Sequence, residues 1–110
     1  MSYKIENSEV FKKQFKKLFK KYDSLKADLA KLIAELEVNP QIGTPLKKNC
    51  YKIRLAITSK HKGKSGGARI ITHVRIINKT VYLLSIYDKA DLDNIKEKDI
   101  ETWIYNLIVD

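Results

Sequence analysis

In the stretch Tyr51-Lys52-Ile53-Arg54-Leu55-Ala56-Ile57-Thr58, large apolar side chains hold the odd positions and Lys52, Arg54, Ala56 and Thr58 the even ones. A period of two predicts a half-buried strand, with Lys52 and Arg54 on the face opposite Ile53 and Leu55. Ser59 to Gly67 follows as a polar, Gly-containing loop. Residues 68–77 read as a second strand, and Asn78-Lys79 as a hairpin turn that lacks the favoured Gly. Val81 to Tyr87 is almost continuously apolar and aromatic, which predicts a central strand.

Upstream the period changes. Phe11, Phe15, Leu18, Phe19 and Tyr22 recur at helical spacing, so 8–22 reads as an amphipathic helix with Asn7 or Ser8 as N-cap and Glu9 in the first turn. Its lysines, Lys12, Lys13, Lys16, Lys17, Lys20 and Lys21, read as a solvated face. A second helix carries Leu25, Leu29, Leu32, Ile33 and Leu36, with Asp23 or Ser24 as its cap and Asn39-Pro40 as its end. The minimal linker predicts an antiparallel helical hairpin. Ser2 to Ile5 reads as a short first strand. At the other end Asn94 and Glu97 suggest a capping box before a helix bearing Ile100, Trp103, Ile104, Leu107 and Ile108. The order β-α-α-β-β-β-α predicts one α+β domain over residues 1–110, with helices on one face of a small antiparallel sheet.

Charge then narrows the function. The chain has 22 basic and 13 acidic side chains, net +9. Residues 38–87 contain ten Lys or Arg and no Asp or Glu, so they carry +10 and the remainder −1. Such a field attracts a polyanion, and a phosphodiester backbone is the commonest one. The same stretch offers no carboxylate chemistry. With one Cys and two His, no metal site and no small-molecule cofactor is expected. The lone Cys50 fits a reducing cytoplasm, and no run of residues is long and apolar enough to span a bilayer. No membrane partner is expected.

On the second strand Arg69, Ile71, His73 and Arg75 share a face, and Arg69 reads as an exposed side chain that contributes little to the core. Depending on register, Lys52 and Arg54 converge with Arg69, and with His73 or Arg75, on one basic sheet surface. A solvated face without function is the competing reading. Lys60, Lys62 and Lys64 make the loop a candidate mobile finger for RNA phosphates; it is not a Walker A motif. His61 is a possible acid or base, although a lone loop His is more often merely exposed. His73, in mid-strand, reads as structural. Cys50 lacks a base at readable spacing and is not expected to act as a nucleophile. Tyr87 is a candidate for stacking on a base, and core packing is the alternative.

Three segments carry a family resemblance: Cys-Tyr-Lys-Ile-Arg-Leu over 50–55, Lys-Ser-Gly-Gly-Ala-Arg-Ile-Ile over 64–71, and Tyr-Leu-Leu-Ser-Ile-Tyr-Asp-Lys over 82–89. As an ordered set they resemble the sheet of the RelE/ParE superfamily, toxins of bacterial type II toxin–antitoxin modules, and the second segment resembles the HigB-type branch. The resemblance implies a ribosome-dependent mRNA endoribonuclease, neutralised by a cognate antitoxin. It implies catalytic roles for Lys52, Arg54, Arg69 and Lys89. RelE has a further Tyr in its C-terminal segment, where Ile95 falls here. The implied reaction is attack of the RNA 2′-OH on the adjacent phosphorus without metal. Arg54 and Arg69 stabilise the phosphoryl oxygens, and Lys52 is the first candidate to take the proton. A ParE-like inhibitor of DNA gyrase, a non-catalytic RNA-binding module and an inactive toxin are the alternatives.

Overall fold

The computed structural model describes residues 2–61, 63–91 and 95–109. Strand β1 (Lys4–Asn7) leads into α1 (Glu9–Lys21) and α2 (Leu25–Val38). A two-residue strand β2 (Thr44–Pro45) precedes β3 (Cys50–Leu55), a 3-10 turn (Thr58–Lys60), β4 (Ala68–Arg75), β5 (Thr80–Asp88) and α3 (Glu97–Val109). The sheet order is β1-β5-β4-β3-β2. The predicted antiparallel meander is present in β3, β4 and β5, while β1 joins the edge of β5 in parallel, making the sheet mixed.

The helical hairpin forms for the reasons its sequence offers. Ser8 is the N-cap of α1: its hydroxyl accepts from Phe11 N at 3.0 Å and donates to Leu84 O at 3.1 Å, tying the helix start to the sheet. Ser24, not Asp23, stands at the start of α2, and its hydroxyl instead meets Asp28 and Ser59. Phe11, Leu18, Leu25, Leu29, Leu32 and Leu36 pack on Ile53, Ile70, Val74, Val81, Leu83 and Ile86. The capping-box residue Asn94 and the Ile108 side chain lie outside the described residues.

Two further expectations change. The strand predicted over 68–77 ends at Arg75, leaving Ile76 and Ile77 exposed in a turn where Lys79 takes φ 50°. The helices do not share one face. α3 covers the opposite side, where Ile100 packs with Cys50, Ile71, Leu84 and Tyr87, flanked by Leu46, Ile95, Trp103, Ile104 and Leu107. The cause is legible in β4 and β5, which are apolar on both faces and so need two covers.

A β-bulge sets the phase of β5. Ile71 opposes Ser85 while Thr72 opposes Leu83, so Leu84 is the extra residue. Gln14 of α1 braces the irregularity: its carbonyl oxygen accepts from Ser85 Oγ and from Ile86 N, both at 2.9 Å. Before the bulge, Leu83 faces the hairpin and Leu84 faces α3; beyond it, Ile86 faces the hairpin and Tyr87 faces α3.

Candidate nucleic-acid interface

Register assembles a row across the α3-side face: Arg54 opposes Arg69, and Arg69 opposes Tyr87. Lys52 sits two residues from Arg54 on the same face, opposite Ile71 and next to Thr44 of β2. Arg69, not Arg75, therefore joins Arg54. Arg75 lies six residues farther along β4, about 20 Å at strand rise. There its Nε donates to His73 Nε2 at 3.3 Å and its guanidinium lies 5.1 Å from the Tyr82 ring centroid. His73 stacks on Tyr82, and its pKa is pushed down by burial and then by the Arg75 charge. The neighbouring Cys50 thiol is pushed up to about 11 by burial, so it is not a nucleophile at neutral pH.

The residues of the row are not equally available. Arg54 is exposed and Lys52 half-buried. Arg69, expected to be exposed, is only 5% accessible. Its Nη1 donates to Lys64 O at 2.9 Å and Ala68 O at 3.2 Å, and its Nη2 to Ser65 O at 3.2 Å. The loop it follows has folded over it, and its donors hold that loop's carbonyls. Tyr87, at 8% accessible, is packed in the α3 cluster, so no base can stack on it in this conformation. Burial raises its hydroxyl pKa, and the Arg69 charge opposes that rise.

Where a mobile finger was expected, the loop is anchored at several of its described residues. Lys60 Nζ meets Asp88 Oδ1 at 2.8 Å, with both side chains nearly buried, so Lys60 is spent on an ion pair. Tyr22 donates its hydroxyl to the other Asp88 oxygen at 2.8 Å, and Lys60 also lies over the Tyr22 ring. Lys89 N donates to Gly67 O at 3.1 Å, so the end of β5 is stitched to the end of the loop. The Lys64 and Lys89 side chains remain exposed. His61 is also exposed, at φ 59° after the 3-10 turn. Lys62 lies outside the described residues.

Carboxylates do approach this region in space. A cleft of about 270 Å³ is lined by Arg54 and Lys64 but also by Asp28 and Glu35 of α2. The acid-free stretch of sequence is thus met by acids from the hairpin. Asp28 is a structural partner: it accepts from Thr58 N at 2.9 Å, Thr58 Oγ1 at 2.6 Å and Ser24 Oγ at 2.9 Å. Nor is the positive charge confined to the middle of the chain, because α1 carries six Lys against one Glu.

The Asp28 brace and the Gln14 brace went unread in the sequence. Both residues sit at hairpin positions whose spacing marks them only as near the buried stripe.

A family model described as "RelE toxin of RelE / RelB toxin-antitoxin system" matches residues 8–105. Among solved structures, a free double mutant of the E. coli toxin RelE is similar at 20% identity and TM-score 0.64, over 96% of this chain and 97% of that one. A chain of the intact E. coli RelBE toxin–antitoxin complex is similar at 23% identity and TM-score 0.62, over 79% of this chain and 96% of that one. For the RelBE2 toxin–antitoxin complex of Mycobacterium tuberculosis the values are 16% and 0.59, over 80% and 99%. At these identities the structures speak to the fold.

Proposed function

The chain belongs to the family of RelE toxins of RelE/RelB toxin–antitoxin systems, and from that premise we propose that it is a ribosome-dependent endoribonuclease that cuts mRNA and arrests translation. The observation that carries the reading is the placement of Lys52, Arg54 and Arg69 on one sheet face beside Lys64 and Lys89. Several cations in one place, two of them guanidinium groups, suit a phosphodiester gaining charge.

The substrate 2′-oxygen bonds to the adjacent phosphorus, and the bond from phosphorus to the 5′-oxygen breaks. The Lys52 amine, in its uncharged form, is the candidate acceptor of the 2′-proton, and the departing 5′-oxygen takes a proton from water. Arg54, exposed beside Lys52, bears on the phosphoryl oxygens, with Lys64 and Lys89 adding charge at the rim. Arg69 contributes from behind the loop. The products are a 2′,3′-cyclic phosphate and a 5′-hydroxyl. Two of the similar solved structures are toxin–antitoxin complexes; by analogy, a cognate antitoxin is the partner expected here, acting in the cytoplasm.

Primer extension on mRNA after induction in a bacterial host tests the reading. Cuts at codon-linked positions, absent in an Arg54→Ala variant, are expected. Growth arrest with intact mRNA and a DNA-damage response would point to gyrase inhibition instead.

A further inference from the structure

The geometry points to a phosphate-binding seat formed by the backbone N–H groups of Ser65 and Gly66, shaped from behind by the buried guanidinium of Arg69. The carbonyls of Lys64 and Ser65 both turn inward to that guanidinium, at 2.9 and 3.2 Å. A trans peptide group is planar, with its C=O and N–H pointing in opposite directions. Drawing two successive carbonyls to one side therefore sends the next two N–H groups, those of Ser65 and Gly66, to the other. Ser65 is exposed and Gly66 half-buried, and among the described residues no acceptor meets either N–H. Adjacent amides presented together form an anion-binding concavity.

The rest of the loop keeps the seat in shape. Gly67 N closes a turn onto Lys64 O at 3.4 Å, and Gly67 O takes the Lys89 N–H at 3.1 Å. A Cβ at Gly67 would run into the Leu55 carbonyl oxygen, so only glycine permits this approach to β3.

Electrostatics name the ligand's charge. Among the described residues no carboxylate pairs with Arg69; its donors meet only neutral carbonyls. A buried cation without a counter-ion favours an anion nearby. Arg54 opposes Arg69 on the neighbouring strand, and it shares with Lys64 a cleft that Asp28 and Glu35 also line. An oxyanion at the Ser65 and Gly66 amides thus has the Arg69 charge behind it, across the two peptide groups. Its chemical class is a phosphate, free or within a phosphodiester; the assignment to RNA rests on the function proposed above. Arg69 is then a positioning residue that acts through the loop.

The test is an amide NMR titration of the full chain, first with inorganic phosphate, then with a 2′-O-methylated trinucleotide that lacks the attacking hydroxyl. Ser65 and Gly66 should shift together, saturably and more than other amides, with both probes. Arg69→Lys keeps a cation but not the fork that holds two carbonyls, and should weaken both titrations at least tenfold. Lys64→Ala should weaken them while the same amides respond. Shifts spread over the lysine-bearing surface without Ser65 and Gly66 would overturn the seat. So would wild-type affinity in Arg69→Lys, which decides the matter if Arg69→Ala fails to fold. A response to phosphate but not to the trinucleotide keeps the seat and overturns its assignment to RNA. No outcome depends on cleavage, so an inactive chain leaves the seat testable.

Discussion

Lys60 and Asp88 form an ion pair of 2.8 Å with side-chain exposures of 10% and 2%, closing the loop after β3 onto the end of β5. Lys60 is raised in pKa, first by its hydrogen bond to Asp88. Removing one partner leaves the other charge buried, which typically costs about 3–5 kcal/mol. Asp88→Ala should therefore lower the urea midpoint sharply. Lys60→Met, which replaces the stem and drops the charge, should also destabilise the fold. A Lys60→Met variant as stable as wild type but without the proposed mRNA cleavage would return Lys60 to the RNA-binding surface.

The strand face should separate stability from activity at some positions only. Arg54→Ala removes an exposed side chain, so stability should stay within about 0.5 kcal/mol. Its activity should fall about a hundredfold or more if it contacts the transition state. Arg69→Ala should lose both, because charge-assisted hydrogen bonds are worth about 1.5–3 kcal/mol in stability. Paired melting curves and cleavage rates check this. Equal melting temperatures for Arg69→Ala and wild type would contradict the bonding to the loop carbonyls.

Acid should destabilise the protein in two stages. His73 is held below its ordinary value by burial and by Arg75. Its share of stability is therefore present above about pH 6.5, the unfolded value, and is lost as pH falls through the lower folded value. Burial raises the pKa of Asp28, but its bonds from Thr58 and Ser24 outweigh that and hold it low. Asp88 is likewise held low, against burial, by Lys60, the Ala90 amide and Tyr22. Both contribute stability above about pH 3.9 and lose it as pH falls through their folded values. Unfolding free energies across pH should show His73→Gln flattening the first stage and Asp28→Asn reducing the second. Parallel profiles for all three proteins would refute the assignment.

Gln14 should matter more than a half-buried polar residue on a helix usually does. Gln14→Ala strips the acceptor from Ser85 Oγ and Ile86 N at the bulge. Unsatisfied buried groups of this kind cost about 1–3 kcal/mol. Calorimetry should show the loss, and amide shifts should change at Tyr87 and Asp88, beyond the bulge. A change within about 0.5 kcal/mol would mean that β5 keeps its bulge unaided.

Thr72 offers the opposite sign. Its hydroxyl is buried, and among the described residues it has no hydrogen-bond partner. Thr72→Val removes that group at nearly constant volume and should raise stability by about 1 kcal/mol. A lower melting temperature would indicate a partner for the hydroxyl in solution.

What the sequence alone determined is what neighbouring residues decide together. Alternation over 51–57 set the strand, and the parity of Ile53 and Leu55 placed Lys52 and Arg54 on the opposite face. Helical spacing set the hairpin and left its N-cap between Asn7 and Ser8. The segments over 50–55, 64–71 and 82–89 carried the family. The tertiary structure decided what depends on residues far apart in the chain. Gln14 braces the bulge at Ser85 across 71 positions. That bulge puts Tyr87 beside Arg69 and turns Asp88 away, to the hairpin side, where Lys60 and Tyr22 meet it. The parity of an uninterrupted strand would have put the carboxylate on the basic face and the ring beneath the hairpin. The burial of Arg69 is of the same kind: its residue type and strand position indicate an exposed cation, and only the path of the loop from Lys64 to Gly67 covers it. Period is a local property of a strand, whereas phase after a bulge and the closure of a loop are set by packing.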